Sequence, residues 1–384
     1  MILGIDASNI RHGGGVTHLV ELLRAADPSS FGFSKVIVWG GERTLDKIDD
    51  RPWLVKSPQK LLSKSLPFRV FWQRFKLSKF VRAASCDLLF VPGGSYVGDF
   101  HPTVAFSQNL LPFEWRELRR FGWSPMTLKL LLLRLIQSRT FRRADGVIFL
   151  TRYARDVVIG VTRMPAGRMA IIPHGIDERF VCPPRAQSAI EHYSVESPFR
   201  VLYVSIVDVY KHQWHVAEAV AHLRDRGWPV ALDLVGPAHA PALKRLERVL
   251  RRVDGKGRFI QYSGSVPYEE LPARYKSADL FVFASSCETF GQILTEAMAE
   301  GLPIACSNRS AMPEVLNDAG VYFDPEKPEE IVRALERLIA DPELRAEKAR
   351  KSFAAAKAYS WSRCASASFD FLADVARAPH NRQR

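Results

Sequence analysis

The sequence predicts an α/β protein built from two doubly wound, parallel-sheet domains. Short apolar, β-rich runs alternate with stretches of helical periodicity along the whole chain, which is typical of repeated βα units. The alternation breaks once, between Pro173 and Ser197, where prolines replace the periodic pattern, and then restarts. A length of 384 residues suits two domains of about 150–200 residues each.

The individual strands follow from the apolar runs. We expect a first domain over residues 1–180, a linker over 181–197 and a second domain over 198–360. In such folds ligands bind at the carboxyl ends of the strands, here in a cleft between the domains. The predicted strands are residues 2–5, 36–39, 87–91, 104–107, 147–151 and 170–173 in the first half, and 200–205, 231–235, 259–262, 279–284, 303–306 and 321–323 in the second.

The composition is that of a globular protein with an uneven charge. Hydrophobic residues make up 47% and charged residues 25%. The five cysteines are scattered without a CxxC pair, which favours a reduced, cytosolic chain without a structural zinc site. The net charge of +13 is concentrated in residues 1–200, with 29 Lys/Arg against 17 Asp/Glu, whereas the remainder has 25 against 24. The first half therefore favours a polyanionic partner.

Two segments, 51–86 and 118–144, account for much of this excess. They contain nine and seven Lys/Arg respectively, and neither contains an acidic residue. Aromatic residues interleaved with the basic ones suit an anionic membrane surface or single-stranded nucleic acid. The alternative is that Leu128–Ile136 is a buried core helix with solvated arginines on its outer face. We favour peripheral membrane contact over nucleic acid.

A glycine-rich turn follows the first predicted strand. Gly13, Gly14 and Gly15 come directly before a predicted helix, whose N-terminal amides could meet an anion. The turn matches neither GxGxxG nor a Walker loop. It is either a purely conformational turn or a phosphate contact.

The most informative segment is residues 284–303. Glu288 follows the predicted strand 279–284 at its carboxyl end, and Glu296, eight positions later, lies one to two turns into the following helix. This spacing predicts that both carboxylates lie at the carboxyl edge of the sheet, where they could accept hydrogen bonds from vicinal sugar hydroxyls. Gly291 leaves the helix N-terminus open to a diphosphate.

With this Glu-x7-Glu segment the sequence resembles glycosyltransferase family 4, the retaining glycosyltransferases of group 1 type. The resemblance extends over most of the second half and more weakly over the first. It implies the GT-B fold, two Rossmann-like domains facing across a cleft, with a C-terminal helix over 361–384 that crosses back to the first domain and ends in a disordered tail. The other residues that match the family pattern are Lys211, Gly236, Gly264, Pro313-Glu314-Val315 and the Gly320–Pro325 stretch in the second half, and Gly13–Gly15, Gln108–Phe113, Thr151 and Ile172–Asp177 in the first half.

The resemblance also implies roles for individual residues. Glu296 would hold the donor ribose, and Glu288, with the backbone of Phe290 and Gly291, would hold the sugar hydroxyls and the diphosphate. Lys211 would neutralise the departing phosphate. The catalytic candidates are thus Lys211 and Glu288, with no metal.

The first domain would contribute the remaining contacts. The resemblance implies that Gly14 and Gly15 close over the donor diphosphate, and that Gln108 and Asn109 lie on the acceptor side. Gln108 stands where many relatives have histidine, and a neutral amide cannot act as a general base. His18 and His101 are nearby alternatives in sequence, although packing or surface roles are the commoner ones.

A second departure lies after the first strand of the second domain. Relatives usually have Arg-x4-Lys there, whereas this chain has Ile206 before Lys211, so one phosphate cation is missing unless another arginine replaces it.

The sequence is thus interpreted as a retaining glycosyltransferase that moves a hexosyl group, with mannosyl weakly favoured, from a GDP- or UDP-linked sugar to a glycan or lipid-linked glycan in cell-surface polysaccharide or lipopolysaccharide synthesis. No cofactor is expected besides this donor, and no nucleic-acid partner. The expected location is cytoplasmic, peripheral at the inner face of the cell membrane. The alternatives are a catalytically degenerate scaffold, a non-transferring sugar-nucleotide epimerase, and a nucleic-acid binder, for which no base-reading motif is visible.

Overall fold

The computed structural model describes residues 1–11, 13–163 and 167–379, which divide into two compact units. The first unit contains residues 1–175 together with the chain from Ser360 onward, and the second contains Ile176–Tyr359. Each unit has its own sheet, and every strand pairing in both sheets is parallel. The predicted pair of doubly wound α/β domains is therefore confirmed.

The first unit has a seven-stranded sheet of order β3-β2-β1-β4-β5-β6-β7. Its strands are β1 (Ile2–Asp6), β2 (Lys35–Gly40), β3 (Leu54–Pro58), β4 (Leu88–Val91), β5 (Thr103–Ser107), β6 (Gly146–Phe149) and β7 (Arg168–Ile171). Within residues 1–175 its helices are α1 (Gly14–Arg24), α2 (Glu42–Leu45), α3 (Leu66–Trp72), α4 (Ser78–Ala83), α5 (Trp115–Arg119), α6 (Pro125–Arg143) and α7 (Arg152–Thr162).

The second unit has a six-stranded sheet of order β10-β9-β8-β11-β12-β13. Its strands are β8 (Phe199–Val204), β9 (Val230–Val235), β10 (Ile260–Gly264), β11 (Leu280–Phe283), β12 (Ile304–Ser307) and β13 (Val321–Phe323). Its helices are α8 (Gln213–Asp225), α9 (Ala240–Val253), α10 (Leu271–Ser277), α11 (Gln292–Ala299), α12 (Met312–Leu316), α13 (Pro328–Ala340) and α14 (Pro342–Ala356).

The central strands explain why both sheets are parallel. All four residues of β4 and of β11 are apolar and buried, as expected for strands covered by helices on both faces. The strand order reverses between β1 and β4 in the first sheet and between β8 and β11 in the second. These two reversals are the switch points at which doubly wound sheets bind ligands.

The last described helix, α15 (Trp361–Arg377), belongs to the first unit, where it packs against α1 and β4. Gly146 permits this packing, because a Cβ atom there would lie 2.9 Å from Val375. Arg377 donates a hydrogen bond of 2.8 Å to the carbonyl of Phe31. The expectation of a disordered tail concerns residues 380–384, which lie outside the described residues.

The structure differs locally from the sequence expectations. Strand β3 was not predicted, because it is an edge strand whose Val55 is exposed and it lacks the buried apolar run that marks the central strands. Residues 181–197, expected to form a linker, lie in the second unit, where Arg185 pairs with Asp279 at 3.0 Å and Gln187 accepts a 3.1 Å hydrogen bond from Arg345. Within the described ranges, no helix combines the length and apolarity needed to span a bilayer.

Candidate functional site

The switch point of the second sheet holds a buried ion pair. Lys211 follows β8 and Glu288 follows β11, and the Lys211 ammonium contacts the Glu288 carboxylate. Their side chains are 7% and 16% exposed, so solvent screens the pair only weakly. The Lys211 Nζ also lies 5.1 Å from the ring centre of Tyr210 and 5.2 Å from that of Phe283. The two predicted catalytic residues are therefore in contact at the carboxyl edge.

Backbone contacts hold this pair in place. The hydroxyl of Tyr203 donates a 2.5 Å hydrogen bond to the Lys211 carbonyl. The amide of Glu288 donates to the Ser310 Oγ at 2.9 Å, and that hydroxyl in turn donates to the Glu288 carbonyl at 2.8 Å. Ser310 adopts a left-handed φ of 57° to make this clamp. Sequence reasoning missed both supporting hydroxyls, since no spacing rule connects them with the pair.

The N-terminus of α11 lies immediately after the pair. Gly291 caps the helix with a φ of 84°, and a Cβ atom there would lie 2.8 Å from the Met312 Cε. Phe290 is buried, with its ring centre 5.2 Å from that of Tyr359. No acidic residue occupies the first turn of α11. The positive end of the helix dipole is therefore not neutralised from within and suits an anion such as a diphosphate.

Glu296 lies inside α11 and is buried, with 4% of its surface exposed. The hydroxyl of Tyr275 donates a 3.1 Å hydrogen bond to Oε2. Burial raises the pKa of Glu296 to about 8, the nearby Asp177 carboxylate adds to the rise, and Tyr275 and Arg179 oppose it. Glu296 is therefore mostly protonated at neutral pH and can donate as well as accept a hydrogen bond.

The position at which the resemblance implies an arginine lies next to a β-bridge. Ile206 is partly exposed, and the next residue, Val207, forms a parallel bridge with Ala238. This bridge brings His239 alongside, 3.4 Å from the Asp208 carboxylate. Burial raises the pKa of Asp208, while His239 and Lys211 oppose the rise. No sequence pattern predicts this pair, because the bridge between Val207 and Ala238 brings it together.

The candidates of the first unit lie at the carboxyl edge of its sheet. Gly13 carries the left-handed φ of 67°, whereas Gly14 and Gly15 already form the first turn of α1, so the glycine-rich turn is shorter than expected. Gln108 donates a 3.0 Å hydrogen bond to the Pro92 carbonyl. Asn109 uses its Oδ1 to accept from the amide of Leu111 at 3.1 Å.

One alternative histidine is buried, and the other is exposed at the amino-terminal end of β5. His18 is buried on α1, and its Nδ1 lies 2.9 Å from the Nδ1 of His174. Both rings pack against Trp361, with ring centres 5.9 and 5.8 Å away. Burial lowers the pKa of His174 to about 3, so this imidazole is neutral at physiological pH. His101 pairs instead with Asp145 at 2.8 Å.

The two basic segments present apolar side chains to solvent. On α3 and the following turn, Phe68, Phe71 and Phe75 are 47 to 55% exposed. On α6, Leu128 and Leu135 are 70% and 69% exposed, which contradicts the alternative of a buried core helix over Leu128–Ile136. The buried face of α6 lies at Leu130, Gln137 and nearby residues toward its C-terminal end.

Both halves of the chain match models of glycosyltransferase families. Residues 185–354 match the family model for glycosyl transferases group 1, and residues 12–180 match the model for glycosyltransferase family 4. The sequence is 39% identical over 106 residues to the O-antigen chain mannosyltransferase B of Escherichia coli, covering 28% of each chain. It is 30% identical over 234 residues to the GDP-mannose-dependent alpha-(1-6)-phosphatidylinositol monomannoside mannosyltransferase of Mycolicibacterium smegmatis, covering 58% of this chain and 59% of the relative. The matched regions thus span only part of each relative's length.

A solved structure agrees over nearly the whole chain. The sucrose-phosphate synthase of Thermosynechococcus elongatus superposes with a TM-score of 0.73 at 18% identity, covering 96% of this chain and 97% of the other. At this identity the likeness concerns the fold alone, and it confirms the predicted GT-B class. Between them the two family models cover both units and include every predicted site residue, and the chain belongs to glycosyltransferase family 4, the glycosyl transferases of group 1.

Proposed function

We propose that this chain is a retaining glycosyltransferase that transfers a mannosyl group from GDP-mannose to a glycan or lipid-linked glycan of the cell surface. The observation that carries the proposal is the Lys211–Glu288 pair at the switch point of the second sheet. The family membership supports the reaction type. The mannosyl donor is favoured because relatives with partial coverage are named as mannosyltransferases, one of them GDP-mannose-dependent.

The chemistry assigned to the pair is electrostatic. Breaking the bond between the sugar C1 and the phosphate oxygen builds negative charge on the diphosphate. Lys211 has two further N–H groups besides the one directed at Glu288, and these can meet that charge. Donors preorganised in a water-poor site contribute on the order of 3–4 kcal/mol each to such a transition state. Glu288 is then free to accept a hydrogen bond from a sugar hydroxyl.

Retention is compatible with the absence of a histidine at position 108. The acceptor oxygen bonds to C1 on the face that the diphosphate leaves, and its proton passes to the departing phosphate oxygen. The Gln108 amide has only an orienting role in this scheme, because it cannot take a proton. Asn109, Gly14 and Gly15 are proposed to complete the acceptor side and the contact with the diphosphate.

Glu296 is proposed to hold the donor ribose. Because burial keeps its carboxyl group largely protonated, it can donate one hydrogen bond to a ribose oxygen and accept another from a ribose hydroxyl. Tyr275 orients the carboxyl group from the opposite side. A ribose contact is common to GDP- and UDP-linked donors, so UDP-linked donors are included in the tests.

The test is donor turnover by matched variants. Wild-type protein is incubated with GDP-mannose or UDP-glucose and a lipid-linked glycan extract, and released nucleotide and glycosylated product are measured. We expect Lys211→Met and Glu288→Gln to lower turnover at least about 100-fold. The control is Lys244→Met, which removes an exposed lysine from α9. Wild-type rates in both site variants would refute the assignment.

The same assay separates the two alternative functions. A degenerate scaffold would bind nucleotide without releasing product from any donor. An epimerase would convert the donor sugar without an acceptor. Transfer that requires the acceptor supports the proposal against both.

We further propose that the first unit docks on an anionic membrane surface. Phe68, Phe71 and Phe75 follow i, i+3, i+7 spacing and share one face. Leu128, Leu132 and Leu135 on α6 share one face with i, i+4, i+7 spacing. Lys64 lies 5.1 Å from the ring centre of Phe68, so charge lies beside the apolar groups. Such basic, apolar surfaces suit the boundary between lipid head groups and acyl chains.

The elements that carry the two apolar faces are both hydrogen-bonded to residues 95–96. Gln73 donates a 2.9 Å hydrogen bond to the carbonyl of Ser95, and the amide of Tyr96 donates to the Thr140 hydroxyl at 2.9 Å. Residues 95–96 thus join the turn after α3 to the C-terminal part of α6. Both faces belong to the same unit, so they could dock together.

Vesicle flotation tests this docking. We expect binding to vesicles with 30% anionic lipid but not to zwitterionic ones, and weaker binding at high salt. Neutralising Lys76, Lys79 and Arg82 to Gln should weaken binding by about tenfold or more, because each basic residue near such a surface contributes about 1 kcal/mol. The control is Arg248→Gln with Arg251→Gln on α9. Unchanged flotation of the triple variant would refute membrane docking.

A further inference from the structure

A second candidate site lies at the opposite edge of the second sheet. A cleft of about 270 Å³ opens beside the amino-terminal ends of β8, β9 and β10, and α10 forms its other wall. The strand register places Arg200 beside Ala231, and Leu202, Asp233 and Gln261 side by side. Because alternate residues of a strand share a face, these side chains line the sheet side of the cleft.

Three arginines from three different elements meet in this cleft. Arg200 comes from β8, Arg258 from the turn before β10, and Arg274 from α10. Arg274 donates a 3.1 Å hydrogen bond to Asp233, whose other oxygen accepts from the Ser263 hydroxyl at 2.7 Å. The carboxylate that lines the cleft is therefore already satisfied.

The other two guanidinium groups are available to a ligand. Within the described ranges, neither Arg200 nor Arg258 makes a side-chain hydrogen bond or ion pair. The nearest acid in sequence, Asp254, uses its oxygens to accept from the backbone amides of residues 258–260 at 2.8 to 2.9 Å. Two exposed guanidinium groups thus line the cleft without an ion pair in the described ranges, although Asp254 lies close enough to Arg258 for their charges to interact.

Two of the three arginines, Arg258 and Arg274, lie outside the basic first half of the chain. They belong to residues 201–384, which are nearly balanced at 25 basic against 24 acidic residues, whereas Arg200 is the last residue of the basic half. Arginine forks match phosphate oxygens in geometry, and a dianion would balance the two unpaired charges. The volume is close to the lower end of the usual range for ligand pockets, about 300–1,000 Å³.

We propose that this cleft binds a small phosphorylated metabolite of about the size of a hexose monophosphate. It is separate from the donor site, because Lys211 follows the carboxyl end of β8 whereas Arg200 lies near its amino-terminal end. A six-residue strand is about 20 Å long. The proposal does not depend on the glycosyltransferase assignment, since it concerns a different edge of the sheet.

Calorimetric titration of the full chain tests the proposal. The probes are glucose 6-phosphate and inorganic phosphate, with glucose and glucose 6-sulfate as comparisons. We expect a phosphate-bearing probe to bind with a dissociation constant in the millimolar range or below, and saturating GDP to leave that binding unchanged. The double variant Arg200→Gln/Arg258→Gln should weaken binding at least about tenfold, the effect of losing one charge-assisted hydrogen bond.

The control is the double variant Arg248→Gln/Arg251→Gln, which removes the same charge from the exposed face of α9. It should bind the probe like wild type. The proposal is overturned if no phosphate-bearing probe binds, if both double variants lose binding equally, or if GDP displaces the probe. Equal melting temperatures of the unliganded variants show that lost binding does not reflect unfolding.

Discussion

The buried carboxyl group of Glu296 makes the stability of the protein depend on pH in a specific way. Its pKa rises from an ordinary value of 4.5 to about 8, mainly through burial. Between these values the folded protein binds a proton that the unfolded chain releases, so stability falls as the pH rises from about 4.5 to 8. Substitution of Glu296 by Gln keeps the shape and the acceptor for Tyr275 but removes the titration.

The size of this loss of stability follows from the rise in the pKa of Glu296. A pKa difference of about 3.5 between the folded and unfolded states lowers the free energy of unfolding by at most about 5 kcal/mol above pH 8. Structural relaxation and water entry reduce such penalties, so we expect Glu296→Gln to be more stable than wild type by about 2–3 kcal/mol at pH 8.5. At pH 4.5 the two proteins should be almost equally stable.

Urea unfolding at pH 4.5, 6.5 and 8.5 measures this difference. The control Glu247→Gln removes an exposed carboxylate from α9. Its free energy of unfolding should stay within about 0.5 kcal/mol of the wild-type value at all three pH values. A stability difference between Glu296→Gln and wild type that does not change with pH would refute the protonated, buried Glu296 described above.

Three further outcomes are expected. Gly236→Ala should destabilise the second unit by several kcal/mol, because its φ is 140° and a Cβ atom would lie 2.1 Å from the Ser205 carbonyl oxygen; Gly160→Ala, with open space around a helical glycine, should instead add about 0.5–1 kcal/mol in the same denaturation assay. Because His174 stays neutral in the folded state, it should cost wild type up to about 2 kcal/mol of stability relative to His174→Asn between pH 6.5 and 5; parallel stability curves of the two proteins would contradict this. EDTA should leave donor turnover unchanged, since Lys211 and the α11 amides are proposed to neutralise the diphosphate; a loss of turnover that Mg²⁺ or Mn²⁺ restores would contradict it.

The buried strands and the position of Glu288 could be anticipated from the sequence for a shared reason, whereas Lys211 was expected at the site only through the family resemblance. Continuous apolar runs mark strands that helices cover on both faces, and groups that follow neighbouring strands meet at one edge of the sheet. The edge strand β3 lacks such a run, so its position depended on tertiary pairing with β2. Three consecutive glycines favour a loop before α1, because glycine has a low helix propensity. In the structure only Gly13 takes the left-handed conformation, and α1 begins at Gly14.

Other features depend on contacts that no local pattern encodes. The Ser310 clamp on Glu288 spans 22 residues, and the bond between Tyr275 and Glu296 spans 21. The protonated state of Glu296 follows from burial, which the spacing of two glutamates does not reveal. The arginine cleft arises only because β8, β10 and α10 converge at one edge of the sheet.

The central claim is that the second unit binds a nucleotide at the end of β8 and β11. Its most direct test is thermal unfolding with GDP, UDP, ADP and dTDP, for wild type and for Glu296→Ala. A nucleotide at about 100 times its dissociation constant adds about 2.7 kcal/mol, which should raise the melting temperature by roughly 2–4 °C. The account predicts such a rise with GDP in wild type and none in Glu296→Ala. No rise with any of the four nucleotides, or an equal rise in both proteins, would contradict it.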